Sequence, residues 1–223
     1  MKERIVIIGG KSSAMIIADN IENARSQYNM PIEVLGFAND DKDIGEEIIG
    51  YPVISNVKDA YKNFGKHKDV KFVYQQYDIK NMVKAIANKD ALGIPDEKYL
   101  TFVHPSSVVA RSATVGAGTI ILSHCVVNTL AQLGSFNSIM THVTIGHDAR
   151  VGNYNLVATH AIISNLIMGD RNFIGINVAT MNKISIGNDC MVGMCSNLTK
   201  SIKDNVVCYG NPAKPVSSGK NLR

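Results

Sequence analysis

The sequence predicts two domains of different class: a small α/β domain with a parallel sheet over residues 1–100, and an all-β solenoid over residues 101–223. Three observations carry this. Ten aliphatic residues recur every six positions without a miss: Val109, Val115, Ile121, Val127, Leu133, Ile139, Ile145, Val151, Val157 and Ile163. If about a quarter of positions are Val, Ile or Leu, chance gives such a run roughly once in a million per starting register. A second run, shifted by one residue, continues through Met168, Ile174, Thr180, Ile186, Val192 and Leu198. Finally, the repeat fills only the second half, while the first half alternates strand-like and helix-like segments.

The elements of the first domain follow in order. Arg4 to Ile8 is an apolar run that reads as a buried strand, ended by Gly9-Gly10. Ser12 or Ser13 caps a helix running through Met15-Ile16-Ile17 to Ala24. Ile32 to Phe37 is a second strand, followed by the acidic loop Asn39-Asp40-Asp41. Val57 to Phe64 reads as a helix, Val70 to Tyr74 as a strand and Ile79 to Ala91 as a helix. Ligands of parallel sheets bind at the carboxyl ends of the strands. Those ends are Gly9 to Ser13, Asn39 to Asp41 and Gln75 to Asp78. The turn Gly9-Gly10-Lys11-Ser12-Ser13 opens a helix, so its backbone N–H groups and the helix dipole can hold a phosphate. Lys11 adds a point charge, and Asp40 can accept hydrogen bonds from a ribose or a base. An ordinary strand–helix turn and a solvated loop remain the alternatives.

In the second domain a six-residue step is too long for strand alternation and too short for a helix pair. It fits short strands joined by turns, with one buried aliphatic residue per face. Glycine follows the repeat position at Gly116, Gly134, Gly146, Gly152, Gly169, Gly175, Gly187 and Gly193. Eighteen residues then make one coil of a three-sided prism, and residues eighteen apart are vertical neighbours about 4.8 Å apart. His124, His142 and His160 should therefore stack as a ladder on one corner. The step from Ile163 to Met168 is only five residues, which predicts a bulge or tightened turn at Ser164 to Ile167. His147 lies off the ladder and precedes Asp148; a carboxylate that orients an imidazole makes a general base.

Composition narrows the function classes. The formal charge of +4 is unclustered, which argues against nucleic-acid binding. No stretch is long enough to span a membrane, and the opening residues do not read as a signal peptide. The four cysteines, Cys125, Cys190, Cys195 and Cys208, form no CxxC pair and suit a reduced compartment and buried positions.

Tandem hexapeptides followed by Gly-Asn-Pro-Ala-Lys at residues 210–214 resemble the left-handed β-helix acyltransferases. The preceding α/β domain is similar to the Rossmann-like domain of bacterial nucleotide-sugar acetyltransferases. These are the bacillosamine and perosamine N-acetyltransferases and the sialic acid O-acetyltransferase group. The left-handed winding comes from this resemblance alone, since the general crossover rule favours right-handed connections. The resemblance implies a cytoplasmic homotrimer in lipopolysaccharide or O-antigen biosynthesis that takes acetyl-CoA and a nucleotide-linked amino sugar, with no metal. It implies His147 and Asp148 as the catalytic pair. It places acetyl-CoA in a groove between subunits, near Leu156, Gly175, Ile176, Gly193 and Met194, with a backbone oxyanion donor at Gly175. It places the nucleotide sugar at Gly10, Lys11, Ser12, Ser13, Asn39, Asp40 and Gln76. The family's pattern has a histidine at Leu156, a histidine in the first turn, an aspartate at Asn39 and a small residue at Gln75-Gln76; this chain departs from it at all four.

Three rival readings remain. The same base could serve an O-acetyltransferase. A zinc carbonic anhydrase on this fold would use His142 and His147, but its third ligand position holds Ser106. A non-catalytic scaffold or sugar-nucleotide-binding trimer is the third.

Overall fold

A computed structural model describes residues 2–77 and 82–218, and the chain divides into two compact units, Met1–Leu100 and Thr101–Arg223. In the first unit, β1 (Glu3–Ile8) lies between β2 (Ile32–Ala38) and a strand at Val70–Tyr74, parallel to both. Ile5 to Ile8 are fully buried, as a central parallel strand covered on both faces requires. Helix α1 (Ser13–Tyr28) buries Ala14, Ile17, Ala18, Ile21 and Ala24, the three-and-four spacing of a single apolar stripe. It ends at Asn29 in the left-handed conformation.

The sequence reading missed one feature of this unit. A hairpin of β3 (Glu47–Ile48) and β4 (Tyr51–Ser55) adds to the sheet, with β4 parallel to β2. Gly45, Gly50 and Pro52 punctuate this stretch and hide its strand character. The expected helix at residues 57–64 is a 3-10 turn (Val57–Asp59) followed by α2 (Ala60–Phe64). The last strand of this sheet is β5 (Val70–Tyr74), and α3 spans Met82–Ala91; the expected helix start at residues 79–81 and Asp78 lie outside the described residues. The sheet order is β3-β4-β2-β1-β5, so its parallel strands run third-second-first-fourth in chain order.

The second unit is a stack of two-residue strands on three faces. The first face carries strands such as Ile120–Ile121, Ser138–Ile139 and Leu156–Val157. The second carries Val126–Val127, Thr144–Ile145 and Ile162–Ile163, and the third Gln132–Leu133, Arg150–Val151 and Ile167–Met168. All ten residues of the first six-step run, and all six of the second, occupy the inner position of their strand. Parallel pairing joins residues eighteen apart, as in Val127↔Ile145 and Leu133↔Val151.

One coil is shorter. Val151 pairs with Met168 and Val157 with Ile174, seventeen apart, after which the eighteen-residue register resumes with Met168↔Ile186. The irregularity is a tightened turn. At nearly every corner one outward residue adopts positive φ: His124, Leu130, Phe136, His142, Asp148, Tyr154 and His160, then Arg171, Asn177, Lys183, Asp189 and Cys195. Among the described residues no left-handed residue falls between His160 and Arg171. The turn at 164–166 dispenses with it.

The first corner joins the first and second faces, the second joins the second and third, and the third leads from the third face back to the first. Inside the third corner an asparagine column satisfies backbone donors that the core would otherwise bury unpaired. Asn137 Oδ1 accepts from Asn155 N (2.8 Å), Asn155 Oδ1 from Asn172 N (2.9 Å), and Asn172 Oδ1 from Cys190 N (2.8 Å). Cys125, Cys190 and Cys208 are buried as expected, and burial pushes the Cys125 and Cys208 thiols up to about 11. Cys195 is the correction: it is exposed at a corner, because the left-handed position there points outward.

Candidate active site

The carboxyl ends of β1, β2 and β5 meet around a cleft of about 370 Å³. Gly9, Gly10, Lys11, Ser12, Ser13, Asn39, Asp41, Gln75, Gln76 and Tyr77 line it. Gly10 is required by close approach: a Cβ there would lie 2.5 Å from Asn39 Nδ2. Asn39, buried, donates to Gly9 O (3.1 Å) and accepts from the Asp41 N–H (2.8 Å), which locks the loop. Gln75, also buried, donates to Ser13 Oγ (3.0 Å). The backbone N–H groups of Gly10, Lys11, Ser12 and Ser13 make no hydrogen bond among the described residues, and they precede the positive end of α1.

Two expectations for this cleft, the helix cap and Asp40, need correction. Ser12 holds the N-cap position at φ 41° but makes no side-chain cap bond, and the Ser13 hydroxyl is engaged by Gln75. Lys11 lines the cleft and pairs there with Asp41 at 2.7 Å, both side chains exposed. Asp40 does not line the cleft; its Oδ1 accepts the Val57 N–H (2.9 Å) and so anchors the following 3-10 turn.

In the second unit the ladder forms at the first corner. The His124 and His142 rings stack at 5.0 Å, and His142 and His160 at 4.7 Å. His104, which the sequence reading did not single out, lies below them. It is 1% exposed, its Nδ1 accepts the Ser106 N–H (3.2 Å), and Ser106 Oγ accepts the His124 N–H (3.0 Å). Burial holds its pKa below the ordinary imidazole value, and the charge of His124 adds to that.

His147 stands on the second corner, after the strand Thr144–Ile145. Its Nδ1 donates to Asp148 Oδ2 at 2.7 Å. Neighbouring side chains usually diverge; these meet because Asp148 holds the left-handed corner position (φ 58°). Both are exposed. Nδ1 is thereby occupied, and Nε2 takes no part in this bond. His142 and His147 occupy different corners of the coil and do not converge.

The expected acetyl-CoA residues cluster elsewhere. Gly175-Ile176 and Gly193-Met194 follow the first-face strands Phe173–Ile174 and Met191–Val192, which pair directly. Leu156 is on the same face, paired with Phe173. Ile176 and Met194 are exposed. Within one chain this cluster and His147 lie on opposite borders of the second face. The Gly175 N–H is bonded to Val192 O (2.8 Å), so the expectation of a free oxyanion donor there is corrected: the strand ladder consumes it.

No protein-family profile matches this chain, and no curated protein matches it. Solved structures do. WeeI from Acinetobacter baumannii AYE aligns at 20% identity over 96% of this chain and 100% of that one, with a TM-score of 0.77. A mutant GDP-perosamine N-acetyl transferase from Caulobacter crescentus, in complex with CoA and GDP-perosamine, aligns at 20% over 96% and 97%, with a TM-score of 0.71. The acetyltransferase domain of PglB from Neisseria gonorrhoeae FA1090, in complex with acetyl coenzyme A, aligns at 19% over 97% and 100%, with a TM-score of 0.70. At these identities the likeness establishes a shared fold, an α/β unit followed by a β-helix. Among the described residues no group of three His, Cys, Asp or Glu side chains could hold a metal ion, and no helix is long and apolar enough to cross a membrane.

Proposed function

We propose that this chain transfers an acetyl group from acetyl-CoA to the amine of a nucleotide-linked amino-deoxysugar. The observation that carries the reading is the His147–Asp148 pair at 2.7 Å on an exposed corner, a bond that uses Nδ1 and not Nε2. The neighbours of the same fold, whose structures hold CoA with GDP-perosamine or acetyl coenzyme A, supply the substrate classes.

A sugar amine is largely protonated at neutral pH and must lose a proton to attack. An imidazole with a pKa about 6.5 is matched to that task. Asp148 fixes the Nδ1–H tautomer and stabilises the imidazolium that forms. The ammonium first gives its extra proton to Nε2, and the nitrogen then bonds to the thioester carbon. The tetrahedral oxyanion collapses with cleavage of the C–S bond, the second nitrogen proton passing to the departing sulfur to give the CoA thiol.

The α/β cleft is read as the nucleotide site. Its free N–H groups suit a phosphate, and the third-second-first-fourth strand order supports the Rossmann-like assignment. Asp40 is left out of that site. The left-handed winding rests on the family resemblance. The homotrimer is supported by the separation of His147 from the Gly175–Met194 cluster. Threefold packing would set one chain's second corner beside the next chain's first corner and complete the site.

The test is a screen of nucleotide-linked 3-amino and 4-amino deoxysugars with acetyl-CoA, following thiol release and identifying the acetylated atom. Acetylation at nitrogen is expected. Transfer to a hydroxyl, or no binding of acetyl-CoA at all, would overturn the reading.

A further inference from the structure

The tightened turn beside His147 leaves a cleft with chemistry of its own. At the second corner the left-handed residues of successive coils are Leu130, then Asp148, then Lys183 two coils on. Elsewhere corner residues of successive coils meet: Phe136 stacks with Tyr154 at 5.1 Å, and Arg171 pairs with Asp189 at 2.8 Å. Asp148 and Lys183 lie two coils apart, about 10 Å, and the coil between them has no left-handed residue at this corner. A cleft of about 350 Å³ opens in the gap, lined by Asp148, Arg150, Asn165, Lys183, Ser185 and Ser201 among others.

The Asn165 backbone in the turn is already engaged. The Asn165 N–H bonds Asn182 Oδ1 (3.2 Å), and the Asn165 carbonyl accepts the Lys183 N–H (2.6 Å). The cleft walls supply charge instead. Arg150 and Lys183 are exposed, and among the described residues neither makes an ion pair. The one carboxylate, Asp148, is held by His147. Two unpaired cations and two serine hydroxyls around a volume within the small-ligand range suit a phosphoryl anion.

We propose that this cleft binds a phosphoryl group, with Arg150 and Lys183 as its charge partners and Asp148 keeping the anion toward the Lys183 side. Under the function proposed above, that group belongs to one of the two nucleotide-bearing substrates, the acyl donor or the sugar acceptor. The anion site itself does not depend on that function. The missing corner residue is then what makes room for substrate next to the base.

The test uses the full-length chain, with pyrophosphate as the probe, by isothermal titration. An Arg150→Ala/Lys183→Ala double variant should weaken pyrophosphate binding at least tenfold or remove one site per chain. Inserting one Asn between Asn165 and Leu166 restores the six-residue step and should do the same. Should the insertion fail to fold, the double variant decides. In turnover assays the double variant should raise KM at least tenfold for one substrate, and which substrate responds identifies the owner of the phosphate. Pyrophosphate binding unchanged within twofold in the double variant overturns the proposal. Intact cleft binding without any acetyl transfer would leave this site standing and overturn the function instead.

Discussion

Asp148 accepts a 2.7 Å hydrogen bond from Nδ1 of His147, its immediate neighbour in sequence, and a backbone φ of 58° at Asp148 accompanies it. In an extended strand these two side chains would point to opposite faces. The corner turns them to the same side.

His147→Ala should lower turnover by about a hundredfold or more, on the usual scale for a general base, while leaving the coil folded. Asp148→Asn should lower it by roughly tenfold to a hundredfold, since asparagine tolerates the left-handed backbone but no longer fixes the tautomer with a charge. Steady-state rates with circular dichroism as the folding control check both. Equal turnover in wild type and His147→Ala would remove the base assignment.

Gly10→Ala should weaken nucleotide-sugar binding about tenfold. Its Cβ would meet Asn39 Nδ2 at 2.5 Å and Ile48 Cδ1 at 2.9 Å, so the loop that closes the cleft must shift. The KM for acetyl-CoA should not change. A variant whose KM values both match wild type would show that this cleft is not the nucleotide site.

Asn155→Ala should cost about 1–3 kcal/mol of stability, because it leaves the buried Asn172 N–H without its acceptor. Urea denaturation reads this as a lower midpoint at unchanged slope. Substituting the exposed Thr129 in the same way should have little effect.

Stability should fall as pH drops through about 6.5. His104 is buried and its folded pKa is lowered, so the unfolded chain takes up its proton first as pH falls. The stabilisation is complete above the unfolded pKa and is lost on acidification toward the folded one. Thermal midpoints measured from about pH 8 to about pH 5.5 should show the decline, and His104→Gln should flatten it. Parallel curves for the two proteins would assign the pH dependence to other groups.

The coil was legible because inward positions demand the same residue size at a fixed step, and Val109 to Leu198 record that demand directly. Its irregularity was legible for the same reason: a lost residue shifts the phase of everything after it. The asparagine column was equally periodic, at 137, 155 and 172, but polar residues at corners are usually surface residues and their inward orientation is a property of the turn. The β3–β4 hairpin was hidden because Pro52 and two glycines interrupt its apolar run. Asp40 misled because a loop carboxylate serves a backbone N–H as readily as a ligand. Gly175 misled because residue type does not reveal whether an N–H is already spent on the next coil.

The strand Val206–Gly210 continues the first face beyond Met191–Val192, and Ala213–Ser218 then folds back antiparallel along its outer edge. That last strand carries Lys214 and Pro215, both exposed. A stack of identical parallel rungs has no internal reason to stop, and a bare final rung is a template for the first rung of another molecule. Reversing direction and presenting a charge and a residue without an N–H makes this end a poor template. The hairpin therefore blocks end-to-end strand pairing on the first face, and a chain cut before Val206 would leave that face open to it.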